Sequence, residues 1–266
     1  MDLELEGKRA IVTGGSRGIG RAVARQLGLE GVDVVVVARG REALEVAAAE
    51  LAAETGRRVV PVAADTGDDG SVVSMVETAA EALGGIDILV NSAARPMGQA
   101  PPPALGEITT EVFWDDVNVK AMGYLRCAQL VAPRMIEQGW GRIISISGLG
   151  ARTTGSIVGS MRNVAVAAMT KNLADQLGRH GVNVTVVHPG LTRTERTAGV
   201  VADRAAQTGL DPSEVEARMG STSALGRLVD AEEVAWVVTF LASPRSVAVN
   251  GDAVACGGGA PGSIHY

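Results

Sequence analysis

The stretch RAIVTGGSRGIG at residues 9–20 has the order of a strand, a glycine turn and a helix. Residues 9–13 form a short apolar run that predicts a buried strand, and Gly18–Leu29 has the apolar spacing of a helix. Backbone N–H groups at the start of a helix bind phosphate where no Cβ blocks their approach. This unit predicts a pyrophosphate site for a dinucleotide, formed by Gly14, Ser16, Arg17, Gly18, Ile19 and Gly20.

Short β-branched runs alternate with longer alanine-rich helical patterns along the rest of the chain. This alternation predicts βαβ units with right-handed crossovers, and hence an α/β, doubly wound parallel sheet of about seven strands, a Rossmann fold. The predicted strands are Arg9–Thr13, Asp33–Ala38, Val59–Val62, Ile86–Asn91, Arg142–Ser147, Asn183–His188 and Asp252–Cys256. The predicted helices are Gly18–Leu29, Glu42–Glu54, Gly70–Leu83, Thr110–Glu137, Gly155–Arg179 and Ala231–Leu241.

Two connecting segments differ from the short turns elsewhere. Residues 194–219 predict an irregular stretch before the last helix, with a helix start at Asp211-Pro212-Ser213-Glu214. Because many small apolar residues surround that start, we interpret the segment at about 194–226 as a substrate lid within a single domain of residues 1–266. Pro101–Pro103 predicts a stiff loop before the long fourth helix.

Composition narrows the class of protein. The 266 residues are 46% hydrophobic and 20% charged, which suits one α/β domain. A net charge of -6 and a pI near 5.2, with scattered arginines, argue against nucleic-acid and anionic-lipid partners. Cys127 and Cys256 imply no disulfide framework, and the acidic start MDLELEGKRAIV lacks the features of a signal peptide. We expect a cytoplasmic protein with no membrane segment and no metal site.

The choice between the two nicotinamide cofactors depends on the end of the second strand. About eighteen residues after Gly20, where NAD-specific folds have an acid for the ribose 2′-hydroxyl, the chain has Ala38 and then Arg39. Arg39, together with Arg17 and Arg41, offers guanidinium groups to a 2′-phosphate. NADP(H) is therefore favoured over NAD(H). The alternative is that one or two of these arginines are only solvated.

Several further motifs, in the right order, make the sequence resemble the short-chain dehydrogenase/reductase family over nearly its whole length. Residues 13–20 match the family's TGxxxGxG motif, and Asn91-Ser92-Ala93-Ala94 is a changed form of its NNAG segment. Asp65 matches the acid that meets the adenine ring, Asn118 matches the active-site asparagine, and residues 189–194 match the PGxxxT turn beside the nicotinamide. The resemblance implies cofactor contacts by Asp65, Asn91, Ala93, Asn163, Pro189, Gly190, Thr192 and Thr194.

The resemblance breaks at the family's catalytic residues. The family's Tyr-x-x-x-Lys precedes a T-K-x-L-A segment, and counting back from it places Gly159 at the tyrosine and Asn163 at the lysine. Gly148 stands at the serine; a shifted alignment makes Ser147 the serine instead. No shift supplies a tyrosine, because the chain has none between residues 124 and 266. Asn118 and Ser147 remain as the candidate catalytic residues.

The missing tyrosine has a predictable chemical cost. The free pKa of tyrosine is near 10, and in these enzymes the lysine and the nicotinamide charge lower it so that a proton moves at neutral pH. Loss of such a general acid costs on the order of 10²–10⁴ in rate. Asn163 can still donate to a ribose hydroxyl, so we expect cofactor binding to survive without ordinary ketone or alcohol chemistry. Lys171 should lie out of reach of that ribose.

Other residues near the expected site have ordinary structural interpretations. His188 fits an uncharged, hydrogen-bonded structural role better than a titrating one. Arg152 and Arg162 flank the site and are candidates for holding an anionic substrate, although surface exposure is the default for arginine on a helix. Tyr124 is expected to pack at an interface. His265-Tyr266 is expected to be a frayed tail, or else to reach a neighbouring subunit's site.

Three functions remain open at this point. The first is an atypical oxidoreductase that passes hydride from NADP(H) to an iminium, a quinone or an activated alkene. The second is a non-catalytic or non-redox protein that keeps the nucleotide for sensing or as a partner subunit. The third is a non-redox enzyme that uses Ser147, Asn118 and the arginines. By resemblance we also expect a homo-oligomer, a tetramer or dimer, formed by the helices that carry Val164, Ala165, Ala168 and Met169.

Overall fold

The computed structural model describes residues 1–94 and 102–262. Its strands are β1 (Arg9–Thr13), β2 (Asp33–Ala38), β3 (Val59–Ala63), β4 (Ile88–Asn91), β5 (Gly141–Ile146), β6 (Val182–Pro189), β7 (Thr192–Arg193), β8 (Val229–Asp230) and β9 (Ala253–Cys256). Its helices are α1 (Gly18–Leu29), α2 (Arg41–Thr55), α3 (Asp69–Leu83), α4 (Thr110–Val117), α5 (Gly123–Glu137), α6 (Ile157–Leu177), α7 (Thr197–Thr208), α8 (Pro212–Gly220) and α9 (Ala231–Ala242).

Seven of these strands form one parallel sheet in the order β3-β2-β1-β4-β5-β6-β9. From β1 the chain adds strands outwards to β3 on one side, and from β4 it adds them outwards on the other side. This change of direction between β1 and β4 confirms the predicted doubly wound α/β fold. Strands β7 and β8 form a separate two-stranded sheet at the carboxyl edge.

The run of valines in β2 shows why helices cover both faces of the sheet. Successive side chains of a strand point to opposite faces. Val34 and Val36 accordingly lie in the hydrophobic cluster that includes residues of α1, α2 and α9, whereas Val35 and Val37 lie in the one that includes residues of α3, α5 and α6. All four valines are fully buried, as expected of a central parallel strand.

Two predicted elements differ in the structure. The predicted single helix over residues 110–137 is α4 and α5 joined by a π-helical turn at Asn118–Met122, because sequence periodicity cannot show a single wide turn. The predicted irregular stretch at 194–219 folds mostly into α7 and α8. Their small core of Val201, Ala205 and Val215 is too short for its period to be recognised in the sequence.

The predicted helix start at residues 211–214 is confirmed. Asp211 accepts a hydrogen bond from the Ser213 N–H at 2.8 Å, and the Glu214 carboxylate accepts one from the Asp211 N–H. The predictions for Pro101 and for His265-Tyr266 lie outside the described residues. Within residues 1–94 and 102–262, no helix has both the length and the apolar character needed to cross a bilayer.

Candidate active site and cofactor cleft

The glycine turn between β1 and α1 is built for close contact between backbone segments. Gly14 has φ +69°, and a Cβ there would lie 2.8 Å from the Ser92 carbonyl oxygen. A Cβ on Gly20 would lie 2.3 Å from the carbonyl oxygen of Gly14 itself. The Thr13 hydroxyl accepts hydrogen bonds from the N–H groups of Ser92 and Ala93, at 3.0 and 3.2 Å. The turn and the 91–94 segment are thus held side by side at the sheet edge.

A carboxylate occupies the position where this turn is expected to bind phosphate. The residue before α1, Arg17, makes no side-chain capping bond, and the Gly18 N–H donates instead to Glu195 Oε1 at 2.8 Å. Free N–H groups and the dipole at a helix N-terminus favour negative charge. The Glu195 carboxylate acts here as a stand-in anion, which shows that this turn accepts an anionic oxygen and so fits a pyrophosphate.

The arginines beside the turn are accessible. Arg17 and Arg39 are both exposed, and within the described part of the chain neither forms an ion pair with a carboxylate. Arg41 is also exposed, but it lies 3.6 Å from Glu45 on the next turn of α2. Ala38, at the end of β2, has no carboxylate that would repel a phosphate. This edge therefore carries two free guanidinium groups on the side where a 2′-phosphate is predicted.

Asp65 and Asn118 are brought together by one glycine. The Asp65 carboxylate accepts from the Gly67 N–H at 2.9 Å, and Asn118 Nδ2 donates to the Gly67 carbonyl at 2.9 Å. Both side chains therefore hold the 65–67 loop in this structure. Asn118 also begins the π-helical turn, so the predicted active-site asparagine joins that turn to the end of β3.

The remaining predicted residues lie along β4, β5 and β6. Asn91 is completely buried at the end of β4, and its amide atoms have no hydrogen-bond partner among the described residues. The Ser147 hydroxyl donates to the Asn163 backbone carbonyl at 3.1 Å. Pro189 ends β6. Position 190 requires glycine, because a Cβ there would lie only 2.9 Å from Gly257 Cα. Thr192 donates to the Gly190 carbonyl at 3.1 Å.

Three further predicted residues can also be placed. Thr194 lies over the α1 N-terminus, where its methyl group is 3.6 Å from the Cβ position of Gly18. His188 is buried, and its Nδ1 faces the Gly148 N–H at 3.4 Å, which agrees with a hydrogen-bonded structural role. Arg152 donates to the Ala253 carbonyl at 3.1 Å.

A lysine that the sequence analysis missed lies inside the site. Lys120 belongs to the π-helical turn and is only 4% exposed. Its Nζ donates to the Ser147 carbonyl at 2.9 Å and to Asn163 Oδ1 at 3.0 Å. Burial, together with the positive charge of Arg162, lowers the pKa of Lys120 to about 7, while Asp116 acts in the opposite direction. The sequence signal that was available is its position two residues after Asn118.

The structure corrects two expectations about charged and aromatic neighbours. Arg162 is not a surface arginine: it is 4% exposed and forms a buried ion pair with Asp116 of α4. Tyr124 does not pack at an interface but is fully buried in its own chain, where its hydroxyl donates to the Ile146 carbonyl at 3.1 Å. Burial raises the pKa of the Tyr124 phenol. Both corrections arise because α4, α5 and α6 pack together. The apolar pattern of a single helix cannot show which other helix it contacts.

Positions 159 and 163 face inwards on α6. Both Gly159 and Asn163 are buried, one helical turn apart, and Gly159 donates its N–H to the capping Ser156 hydroxyl at 3.1 Å. A Cβ on Gly148 would lie 3.2 Å from Asn163 Nδ2, and one on Gly150 would lie 3.1 Å from it. Lys171 lies further along α6, exposed and paired with Asp175. The site thus offers amide and ammonium donors.

Comparisons with known proteins agree with this architecture. The family described as enoyl-(acyl carrier protein) reductase matches residues 14–260. Short-chain reductase protein NovJ of Streptomyces niveus is 35% identical over 254 residues, covering 95% of this chain and 93% of the relative. The structure of L-sorbose reductase from Gluconobacter frateurii, complexed with NADPH and L-sorbose, superposes with a TM-score of 0.92 at 28% identity, covering 99% and 100% of the two chains. The structure of actinorhodin polyketide ketoreductase with NADPH has a TM-score of 0.86 at 32% identity, covering 94% and 96%.

Proposed function

The chain belongs to the short-chain dehydrogenase/reductase family, and on that premise we propose that it is an NADP(H)-binding oxidoreductase with a degenerate active site. The observation that carries the cofactor assignment is the α1 N-terminus, where the Gly18 N–H already binds the Glu195 carboxylate, flanked by the free guanidinium groups of Arg17 and Arg39. The NADPH complexes of the sorbose reductase and the ketoreductase support the same choice of cofactor.

The residues divide between the two halves of the cofactor. The amides of the 14–20 turn and Ser16 would hold the pyrophosphate, Arg39 and Arg17 the 2′-phosphate, and Asp65 the adenine. On the other half, Asn163 would donate to a ribose hydroxyl, and the 189–194 segment, including Pro189, Gly190 and Thr192, would border the nicotinamide. When bound, NADPH supplies a hydride. The chain's own residues then hold the acceptor and exclude water.

Proton delivery distinguishes this site from an ordinary ketone reductase. Reduction of a ketone places negative charge on oxygen, and a positioned acid normally supplies the proton. Position 159 is glycine, and the phenol of Tyr124 is buried, with a raised pKa and a hydrogen bond to Ile146. An iminium, a quinone or an activated alkene needs no such proton at oxygen in the hydride step. These acceptors are therefore the proposed substrate class.

The segment at about 194–226 supports a small-molecule acceptor. Helices α7 and α8 pack on each other and, with Leu191, line an open surface pocket of about 250 Å³. Its walls are mostly apolar, including Leu210, Val215 and Met219. Because this segment also holds Glu195 against the α1 N-terminus, we propose that it is a lid over both the cofactor and the acceptor.

The first test is titration calorimetry with NADPH and NADH, followed by NADPH oxidation with ketone, quinone, iminium and alkene acceptors. We expect micromolar binding of NADPH, weaker binding of NADH, and turnover only with acceptors that need no protein acid. Equal affinity for the two cofactors would contradict the arginine assignment. Robust ketone reduction by the wild-type protein, unaffected by removal of His265-Tyr266, would contradict the degenerate site.

A second candidate is a non-catalytic NADP(H)-binding protein that senses the nucleotide or partners an active paralogue. The observation that favours it is the way candidate polar groups are used within the fold: Asn118 is bonded to Gly67, and Ser147 to the Asn163 backbone. Tight NADPH binding without turnover of any acceptor class would select this function.

We also propose a homo-oligomer, a tetramer or dimer, assembled through α5 and α6. On α6, Val164 is 50% exposed, and Ala165 and Ala168 are exposed beside it. Met161, one turn earlier, is 52% exposed. A stripe of this kind suits an isologous helix interface. Sedimentation that shows only monomer at micromolar concentration would contradict the assembly.

A further inference from the structure

Lys120 and Asn163 meet inside the site, although they come from different helices. Lys120 Nζ lies 3.0 Å from Asn163 Oδ1, and both residues are more than nine-tenths buried. Lys120 donates its second hydrogen bond to the Ser147 carbonyl, at the carboxyl end of β5. The pair therefore lies beside the carboxyl ends of β5 and β6, at the cleft. The proposed function assigns no role to Lys120.

The charges around Lys120 do not balance. Asp116 is the carboxylate facing this cluster, and it is already paired with Arg162. Lys120 is left with two neutral acceptors. Removal of an ammonium from water costs several kcal/mol unless a counter-charge compensates. A buried lysine without its own counter-ion, beside a ligand cleft, is more typical of a functional residue than of a stabilising one.

The lysine determines which way the Asn163 amide points. In the structure the amide atom that faces Lys120 is the oxygen, as the protonated lysine requires, because an ammonium group only donates hydrogen bonds. The amide nitrogen then points away, towards the 148–150 turn, where the Cβ positions of Gly148 and Gly150 lie 3.2 and 3.1 Å from it. No described residue accepts a hydrogen bond from Asn163 Nδ2. An amide donor without a partner among the described residues, on a residue that is only 6% exposed, is thus held facing the glycine-lined side of the cleft.

The position of this donor identifies the ligand group that it serves. In a doubly wound sheet the two halves of a dinucleotide lie on either side of the reversal point, with the pyrophosphate between them. Arg39 and Asp65 lie at the β2 and β3 ends, which leaves the ends of β4, β5 and β6 for the nicotinamide half. We propose that Lys120 is a positioning residue that orients the Asn163 carboxamide to donate from Nδ2 to a hydroxyl of the nicotinamide ribose. This role rests on the proposed binding of NADP(H).

Two ligands separate this role from a general effect on folding. NADPH contains the nicotinamide ribose, whereas adenosine 2′,5′-bisphosphate contains only the adenosine half with its 2′-phosphate. Calorimetry with each ligand would be applied to the wild type, Lys120→Met and Asn163→Asp. The aspartate keeps an acceptor for Lys120 but removes the Nδ2 donor. Lys171→Met is the matched control, because Lys171 is an exposed lysine on α6.

We expect both variants to bind NADPH about tenfold more weakly and the bisphosphate as the wild type does. The control should bind both ligands normally. The double variant Lys120→Met/Asn163→Lys places an ammonium on α6 itself and should recover most of the NADPH affinity.

Unchanged NADPH affinity in Asn163→Asp, or equal weakening of both ligands in each variant, would overturn this role of Lys120. If Lys120→Met does not fold, the NADPH and bisphosphate affinities of Asn163→Asp still decide the test. A wild type that binds the bisphosphate but not NADPH would likewise overturn the role. A wild type that binds neither ligand would instead overturn the proposed function, and the role with it.

Discussion

The two halves of the sheet's carboxyl edge use positive charge in opposite ways. At β1 and β2, Arg17 and Arg39 are exposed and have no carboxylate partner among the described residues. Beside β5, Lys120 of the π-helical turn and Arg162 of α6 are each 4% exposed and bonded to groups of the protein itself. Exposed cations remain available to an anionic ligand, whereas buried cations act by holding neighbouring side chains. The first half is therefore suited to binding phosphate, and the second to fixing the orientation of amide donors.

The largest expected effect comes from adding a tyrosine to the second half, where the proposed function has no general acid. Gly159→Tyr should raise ketone reduction by about 10²–10⁴-fold, because a positioned phenol supplies the proton at oxygen. The change is made without Asn163→Lys, since Lys120 Nζ already lies 3.0 Å from the Asn163 amide and a second ammonium would be repelled. NADPH oxidation with a ketone panel measures it. Gly159→Phe, which lacks the hydroxyl, is the control, and equal gains in both would refute proton donation.

The buried Asp116–Arg162 ion pair of the second half should contribute strongly to the free energy of unfolding. Asp116→Asn leaves the buried Arg162 without its counter-ion, and removal of one partner of such a pair costs about 3–5 kcal/mol of unfolding free energy. Urea denaturation measures the change. Asp175→Asn, which breaks the exposed pair with Lys171, should cost no more than about 0.5 kcal/mol. Similar losses of unfolding free energy in the two variants would show that the buried Asp116–Arg162 pair stabilises the protein no more than the exposed pair does.

In the first half, the largest expected effect is on the choice of cofactor. Arg39→Ala removes a charge-assisted bond to the 2′-phosphate, worth about 1.5–3 kcal/mol, and should weaken NADPH binding by about 10–100-fold. NADH lacks that phosphate, so its affinity should not change. Calorimetry with both cofactors measures the ratio. An unchanged ratio would remove Arg39 from the phosphate site.

Burial of Lys120 should appear in the pH dependence of stability. The unfolded chain keeps the lysine protonated up to about 10.5, whereas the folded protein releases that proton near pH 7, with Arg162 favouring release and Asp116 opposing it. Between these values the unfolded state binds more protons, so stability rises with pH, by up to about 1.4 kcal/mol per pH unit. Urea denaturation of the wild type and Lys120→Met from pH 7 to 9 measures this. Parallel curves would contradict a lowered pKa.

The smallest effect concerns the carboxylate on the first half. Glu195→Gln removes an anion from the α1 N-terminus, where such contacts are worth about 0.3–1 kcal/mol, and should tighten NADPH binding by roughly 2–5-fold. Glu77→Gln, on exposed α3 surface, matches the change of net charge and should have no effect. Fluorescence titration of NADPH compares them. Weaker binding in Glu195→Gln would mean that Glu195 assists the cofactor rather than competing with it.

The first half could be predicted in detail because its determinants are local. The bounds of β1, α1 and β2 agree with the predictions, and the glycines of the turn are required where they were expected, at Gly14 and Gly20. A strand, a turn and a helix within twenty-one residues depend on neighbours in the chain. The cofactor contacts assigned to these residues remain predictions.

The sequence by itself determined the α/β fold and the glycine turn, and its spacing predicts Gly159 and Asn163 at the positions of the family's tyrosine and lysine. Only the tertiary structure revealed what surrounds those positions. Lys120 reaches Asn163 across 43 residues, through a π-helical turn that no periodicity indicates. A contact between two helices depends on how their faces pack on the sheet, and this packing is a property of the whole fold. Spacing therefore predicts which residues stand at the family's catalytic positions, whereas packing decides which other side chain lies beside them.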